Sequence, residues 1–232
     1  MIERAVILAG GKGTRLKPLT DITPKPLIEV KGEPIVTHLV RFFQKHGVWE
    51  FGIIISRNHE RQFQDWVATI APRATYTFFR EEKPMGTFGY LGNLKNWTGG
   101  KAFFMMNGDS LLDFDLTELA EFHATKKRAA TIGLIGVPHA GEFGSVVLKD
   151  GIVQGFEEKS SSPKSNLVSV GLYLLEPDIF AYGDPSRDFL MIEKDVFPKM
   201  AHDGNLSGFV IPNGRFFDCG TLARLEQARK EW

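Results

Sequence analysis

The stretch Leu8-Ala9-Gly10-Gly11-Lys12-Gly13-Thr14-Arg15 constrains this chain most, because it follows directly on the apolar run Ala5-Val6-Ile7-Leu8. A short apolar run without polar alternation reads as a strand buried on both faces, the habit of parallel sheets. Glycines directly after it place a loop at the carboxyl end of the sheet, where open α/β folds bind ligands. Glycine has no Cβ, so backbone N–H groups there can approach an anion, and Lys12 and Arg15 add charge. Neither of two common phosphate loops fits: Gly10 to Arg15 does not match G-x-x-x-x-G-K-[ST], and residue 16 is Leu, not the third glycine of the dinucleotide fingerprint. Further on, Pro24 and Pro26 restrict the backbone around Lys25, which suits a lysine meant to meet a defined anion. Spacing alone leaves open an ordinary strand-to-helix turn with solvated cations.

The rest of the chain extends the α/β pattern. Strand-like runs at 5–8, 51–55, 75–79 and 102–106 alternate with helix-like segments, as βαβ units do. Ile35, Val36, Leu39, Val40 and Phe43 keep helical spacing, with Gly47 where a helix would end. A second helix is expected from Asp115, with Glu118 as its capping-box partner. Beyond residue 130 shorter strands at 131–137, 145–148 and 168–175, separated by Gly and Pro, predict antiparallel or mixed pairing. A helix around 192–201, a strand at 208–211 and a helix at 223–230 close the pattern. With 232 residues and 43% hydrophobic content, one domain over 1–232 is expected, and the polar tract Lys159–Ser165 reads as a surface loop.

Charge and cysteine content narrow the function. Lys and Arg number 28 and Asp and Glu number 28, so no global field attracts nucleic acid or an anionic membrane, and any anion site is local. No leader-like or membrane-length apolar run occurs, which leads to the expectation of a cytoplasmic protein. Cys219 is the only cysteine, and no Cys/His spacing suits zinc. The six histidines are scattered and none pairs with an evident nucleophile.

GGKGTRLKPLTDITPKPL resembles the signature of the sugar-1-phosphate nucleotidyltransferases, and later motifs follow in that family's order: Pro84-Met85-Gly86-Thr87, Asn107-Gly108-Asp109, Phe143-Gly144, Glu157-Glu158-Lys159, Val170-Gly171-Leu172-Tyr173 and Phe217-Asp218-Cys219-Gly220-Thr221. The resemblance implies a Rossmann-like, mixed but mainly parallel sheet flanked by helices, of the nucleotide-diphospho-sugar transferase type. It implies Mg²⁺ dependence and the reaction of an NTP with a sugar 1-phosphate to give NDP-sugar and pyrophosphate. Carried over by position, Arg15 touches the nucleotide's phosphates and Lys25 stabilises the α-phosphate, with Asp109 completing the catalytic set. By the same resemblance Leu8, Ala9, Gly10, Gly11, Gly13, Thr14, Pro84, Gly86 and Thr87 are expected to bind the nucleotide. Asn107, Gly144, Glu158, Lys159 and Gly171 take the sugar phosphate, with the N-terminal part serving the nucleotide and the C-terminal part the sugar phosphate. The resemblance also implies that Asp109 and Asp218 hold the metal, whereas without it each reads as a turn residue or helix cap; because they lie far apart in sequence, only the fold can unite them.

The chain departs from the family in carrying Ser169-Val170 before the sugar-side glycine, and Phe88 where guanylyl-type members have a small residue. Thymidylyl relatives place a glutamine in a Gly-Leu-Ala context, which is missing here, whereas Pro-Met-Gly-Thr resembles the Pro-Leu-Gly-Thr of mannose- and heptose-1-phosphate guanylyltransferases. GTP is therefore the expected donor. The alternatives are a uridylyltransferase for N-acetylmuramate or another hexose 1-phosphate, or a catalytically silent NDP-sugar-binding protein. Asp113-Phe114-Asp115 has the letters of a glycosyltransferase metal motif but stands at a helix start. Partners are the two small-molecule substrates, with room left for a homodimer.

Overall fold

The computed structural model describes residues 2–70 and 74–232. Along the chain run β1 (Arg4–Ala9), a small hairpin of β2 (Glu29–Val30) and β3 (Glu33–Pro34), α1 (Ile35–Lys45), β4 (Glu50–Ser56), α2 (Glu60–Thr69) and β5 (Thr75–Glu81). There follow the single turns α3 (Gly86–Gly89) and α4 (Lys95–Thr98), β6 (Phe103–Asn107), β7 (Ser110–Asp113), α5 (Leu116–Lys126), β8 (Ala130–Gly136), β9 (Gly144–Lys149), β10 (Ile152–Glu158) and β11 (Leu167–Leu175). A π-helical turn at Ile192–Val196 leads into α6 (Phe197–His202), then β12 (Leu206–Val210), β13 (Arg215–Asp218) and α7 (Leu222–Glu231). The result is a mixed α/β protein of two compact units. The first runs to Pro84 and takes in Met106–Phe114 and Gly214–Trp232, and the second comprises Met85–Met105 and Asp115–Asn213.

In the first unit β1, β4 and β5 pair in parallel, Ala5 opposite Phe51 and Ile53 opposite Phe78. Ala5, Val6 and Ile7 are fully buried, as the uninterrupted apolar run predicts. α1 turns Ile35, Val36, Leu39, Val40 and Phe43 into the core and ends where Gly47 adopts φ 81°, the left-handed conformation glycine takes most cheaply. The sequence pattern missed β7 and β13. Both are four residues long and pair antiparallel with each other, with Asp218 opposite Ser110.

In the second unit antiparallel pairing prevails, as the short Gly- and Pro-separated runs predict. β11 pairs with β8, β10 with β12, and β9 with β10, all antiparallel, whereas β12 runs parallel to β8. Val168 of β11 also meets Ser145 of β9, so these strands close on one another. α5 is N-capped by the Asp115 carboxylate, which accepts the Thr117 N–H at 2.9 Å; the bond goes to the second residue of the helix. That cap role accounts for Asp115 in the Asp-x-Asp letters.

Candidate active site

The first unit contains four of the charged residues singled out by the sequence: Arg15, Lys25, Asp109 and Asp218. The glycine loop leaves β1 at Ala9, and Gly13 at φ 62° starts the turn Thr14–Leu16 that carries Arg15. Lys25 opens the tight turn Lys25–Leu27 between two buried prolines and is itself only 8% exposed, with its ammonium paired to the Asp109 carboxylate. Pro24 lies in extended backbone and Pro26 sits inside the turn, so the restriction anticipated for Lys25 comes from both sides.

Asp109 follows β6 in the turn Asn107-Gly108-Asp109. Gly108 donates its N–H to the Leu8 carbonyl at 2.9 Å, and a Cβ there would lie 2.6 Å from that oxygen. Only glycine allows this approach, which sets Asp109 beside the end of β1. The β7–β13 pairing then brings in Asp218: opposite Ser110 in register, it lies next to Cys219, whose N–H donates to the Asp109 carbonyl at 2.9 Å. Asp218 accepts the Gly220 N–H at 2.7 Å and pairs with Arg224. A Cβ on Gly220 would lie 2.6 Å from Asp218 Oδ1 and 3.3 Å from Arg15 Nη2, so the loop arginine reaches the Asp218 turn. Arg15, Lys25, Asp109 and Asp218 thus form one cluster.

The cluster's chemistry suits a hard cation. No group of three or more His, Cys, Asp or Glu side chains fit to hold a metal occurs among the described residues. A small divalent ion that keeps water and substrate phosphates needs only one or two carboxylates, the number that Asp109 and Asp218 could offer, although here they pair with Lys25 and Arg224. Burial, reinforced by the Asp109 and Asp218 carboxylates, pushes the Cys219 thiol up to about 12. Cys219 is fully buried, and its raised pKa goes with a packing role.

One residue absent from the sequence reading stands beside the loop. Glu81 ends β5, is 7% exposed, and its Oε2 lies where a Cβ on Gly10 would come within 2.1 Å. Gly10 is a glycine here because a carboxylate occupies the space. The signal was available: an acidic residue ends a parallel strand three positions before Pro84.

In the second unit Gly144 and Glu158 are opposite each other in the β9–β10 ladder, and a Cβ on Gly144 would meet Phe156 at 2.5 Å and Glu158 Oε2 at 2.9 Å. Lys159, at φ 55°, lies 3.6 Å from the Glu158 carboxylate, and its N–H donates to the Phe143 carbonyl at 3.1 Å. The structure so brings Gly144, Glu158 and Lys159 together. Gly171, at φ 74°, sits in the irregular stretch of β11 between Ser169 and Tyr173 and donates its N–H to Ser169 Oγ at 3.2 Å. Ser169, which departs from the family pattern, is thereby engaged locally. Asn107 ends β6, and Pro84 closes the first unit's opening segment. Gly86 and Thr87 open α3, where the Thr87 hydroxyl donates to Glu193. Phe88, the other departure, is buried in the core.

A family model described as "Nucleotidyl transferase" matches residues 4–232. A rice (Oryza sativa subsp. japonica) protein named "Probable mannose-1-phosphate guanylyltransferase 2" is 32% identical over 228 residues, covering 94% of this chain and 61% of the rice protein. The chain therefore spans about three fifths of that relative's length. A Bacillus subtilis (strain 168) protein named "Probable glucose-1-phosphate cytidylyltransferase" is 31% identical, covering 88% of this chain and 86% of its own. Among solved structures, HddC from Yersinia pseudotuberculosis complexed with GMP-PN superposes with a TM-score of 0.84 at 25% identity over 99% of each chain.

Proposed function

The chain belongs to the nucleotidyl transferase family, and from that premise we propose that it transfers a nucleotidyl group from an NTP to a sugar 1-phosphate, releasing pyrophosphate. The observation that carries the proposal is the cluster of Arg15, Lys25, Asp109 and Asp218, assembled from four separate stretches of the chain. In this reaction a sugar-phosphate oxygen attacks the α-phosphorus while pyrophosphate leaves on the far side, so two anions must meet and catalysis is chiefly charge neutralisation and positioning. Arg15 holds the nucleotide's phosphates, and Lys25 meets the negative charge that builds on the α-phosphate. The backbone of residues 8–11 lines the base and ribose, and Gly13, Thr14, Pro84, Gly86 and Thr87 also bind the nucleotide. Glu158 accepts sugar hydroxyls and Lys159 pairs with the sugar's phosphate, with Gly144 and Gly171 offering backbone groups and Asn107 a further contact to the sugar phosphate. Mg²⁺, held by Asp109 and Asp218, would neutralise phosphate charge when bound.

GTP is the proposed donor, and mannose or heptose 1-phosphate the proposed class of acceptor. A carboxylate only accepts hydrogen bonds, and guanine alone among the common bases offers two adjacent donors on its Watson–Crick edge. Glu81, set against Gly10, is such an acceptor. The GMP-PN bound to HddC and the guanylyltransferase name of the rice relative support the same base, while the cytidylyltransferase name of the Bacillus relative makes CTP a necessary control. Pyrophosphate release from GTP, UTP, dTTP, CTP and ATP, each with mannose, heptose, glucose and N-acetylmuramate 1-phosphates and with or without Mg²⁺, tests the proposal. A GTP-selective, Mg²⁺-dependent signal is expected. Silence across the panel refutes transfer, and a UTP or CTP signal refutes the base assignment alone.

A further inference from the structure

Glu193 has no role in the reaction as set out, yet it is an acid held at 8% exposure in the π-helical turn Ile192–Val196. Ile192 and Val196 of that turn, and Phe197 and Met200 of α6 after it, are all core residues. An apolar side chain of similar size would avoid the cost of desolvating a carboxyl there. What the carboxyl provides is direction. Thr87 Oγ1 donates to Glu193 Oε2 at 2.5 Å and accepts the Ile192 N–H at 2.9 Å, while the Tyr173 hydroxyl donates to Oε1 at 3.2 Å.

Thr87 belongs to a loop that the stretch just before that turn grips along its backbone. The Phe88 and Gly89 N–H groups both donate to the Leu190 carbonyl, at 2.9 and 3.2 Å, and the Leu190 N–H donates to the Met85 carbonyl at 3.0 Å. Gly86 and Gly89 permit this closeness, since a Cβ on either would lie within 2.4 Å of the Leu190 or Asp188 carbonyl oxygen. At its other oxygen Glu193 meets Tyr173, which closes the irregular stretch of β11 where Gly171 is turned to φ 74° and tied to Ser169.

We infer that Glu193 is a positioning residue, which fixes the Gly86-Thr87 loop and the Gly171 stretch of β11 in one arrangement through a single buried carboxyl. The inference rests on the nucleotidyltransferase reading, in which the loop serves the nucleotide and Gly171 the sugar phosphate. Pre-organisation of this kind lowers the ordering cost of binding without any contact between Glu193 and the ligand.

The test combines amide hydrogen exchange of the ligand-free protein with calorimetric binding of GTP, for Glu193→Leu, Glu193→Gln, Thr87→Val and the pair Glu193→Leu/Thr87→Val. Glu193→Leu should speed exchange at Phe88, Gly89 and Gly171 about tenfold and weaken GTP about tenfold. Thr87→Val should lose as much GTP affinity, and the double variant no more than either single change, because both remove one interaction. Glu193→Gln, which keeps an oxygen acceptor, should stay within about threefold of the parent. Unaltered exchange in Glu193→Leu, losses that multiply in the double variant, or a Gln variant as impaired as Leu would each overturn the inference. If Glu193→Leu does not fold, Thr87→Val and Glu193→Gln decide by the same criteria. Failure of the parent itself to bind any nucleotide would remove the nucleotidyltransferase reading, while the exchange data still decide the positioning role.

Discussion

Two alanines in the glycine loop separate a steric role from a ligand-contact role. Neither Gly10 nor Gly11 adopts a left-handed φ, so alanine strains the backbone at neither. At Gly11 an added Cβ meets nothing within 4 Å, whereas at Gly10 it lies 2.1 Å from Glu81 Oε2 and 3.3 Å from its Cδ. Heavy atoms of this kind need about 3 Å or more, so the Glu81 carboxylate must retreat by roughly 1 Å. It is the far end of a flexible chain, and the fold can yield at a cost of about 1 kcal/mol, or roughly 2–4 °C in melting temperature. The larger effect falls on the base. Displacing a charged acceptor from a donor pair costs about 1.5–3 kcal/mol, which is roughly 10- to 150-fold in Kd.

Titration calorimetry of GTP and UTP with both variants reads this directly. Gly10→Ala should weaken GTP by that factor and UTP by about threefold or less, collapsing the preference between them. Gly11→Ala should melt with the parent and weaken both nucleotides alike, because a methyl group there obstructs only the ligand's approach to the backbone. Gly10→Ala protein that keeps its GTP-over-UTP preference would refute the assignment of Glu81 to the base, whatever its stability.

Lys25→Met should lower kcat by about 10²- to 10³-fold while changing nucleotide Kd by less than about fivefold, since its charge counts most when charge builds on the α-phosphate; equal losses in pre-steady-state chemistry and in Kd would reduce Lys25 to a binding group. Asp218→Asn should raise the Mg²⁺ concentration for half-maximal activity and weaken Mn²⁺ binding measured without nucleotide, and an unchanged metal titration would remove Asp218 from the site. Burial raises the Glu193 carboxyl above its ordinary value of 4.5, with the Glu158 charge adding to the shift. The folded state therefore holds that proton more tightly than the unfolded chain, and the group's stabilisation is complete below pH 4.5 and lost as pH rises through the folded value. The melting temperature of Glu193→Gln, which stays neutral throughout, should accordingly gain on the parent from pH 4.5 to pH 8, and parallel melting profiles would refute the shift.

The residues at strand ends and turns were legible because local chemistry marks them. Ala5 to Leu8 and Phe51 to Ile55 declare parallel strands by their unbroken apolar character, Gly47 marks the end of α1, and Asp115 marks the start of α5. Lys25 between two prolines and Arg15 after the glycines were visible for the same reason: each owes its backbone setting to adjacent residues. What no local pattern carries is register between distant segments. β7 and β13 are too short to announce themselves, yet their pairing sets Asp218 opposite Ser110 and gathers the two carboxylates. Glu81 and Glu193 likewise read in the sequence as ordinary acids. Their importance arises from burial: one faces Gly10 and the other joins Thr87 to Tyr173. The sequence by itself determined which elements form and which charges stand at their ends, because helix, strand and turn preferences act over a few residues. Tertiary structure alone decided which of those charges share a site and which acids lose their water, because both depend on contacts between residues tens to hundreds of positions apart.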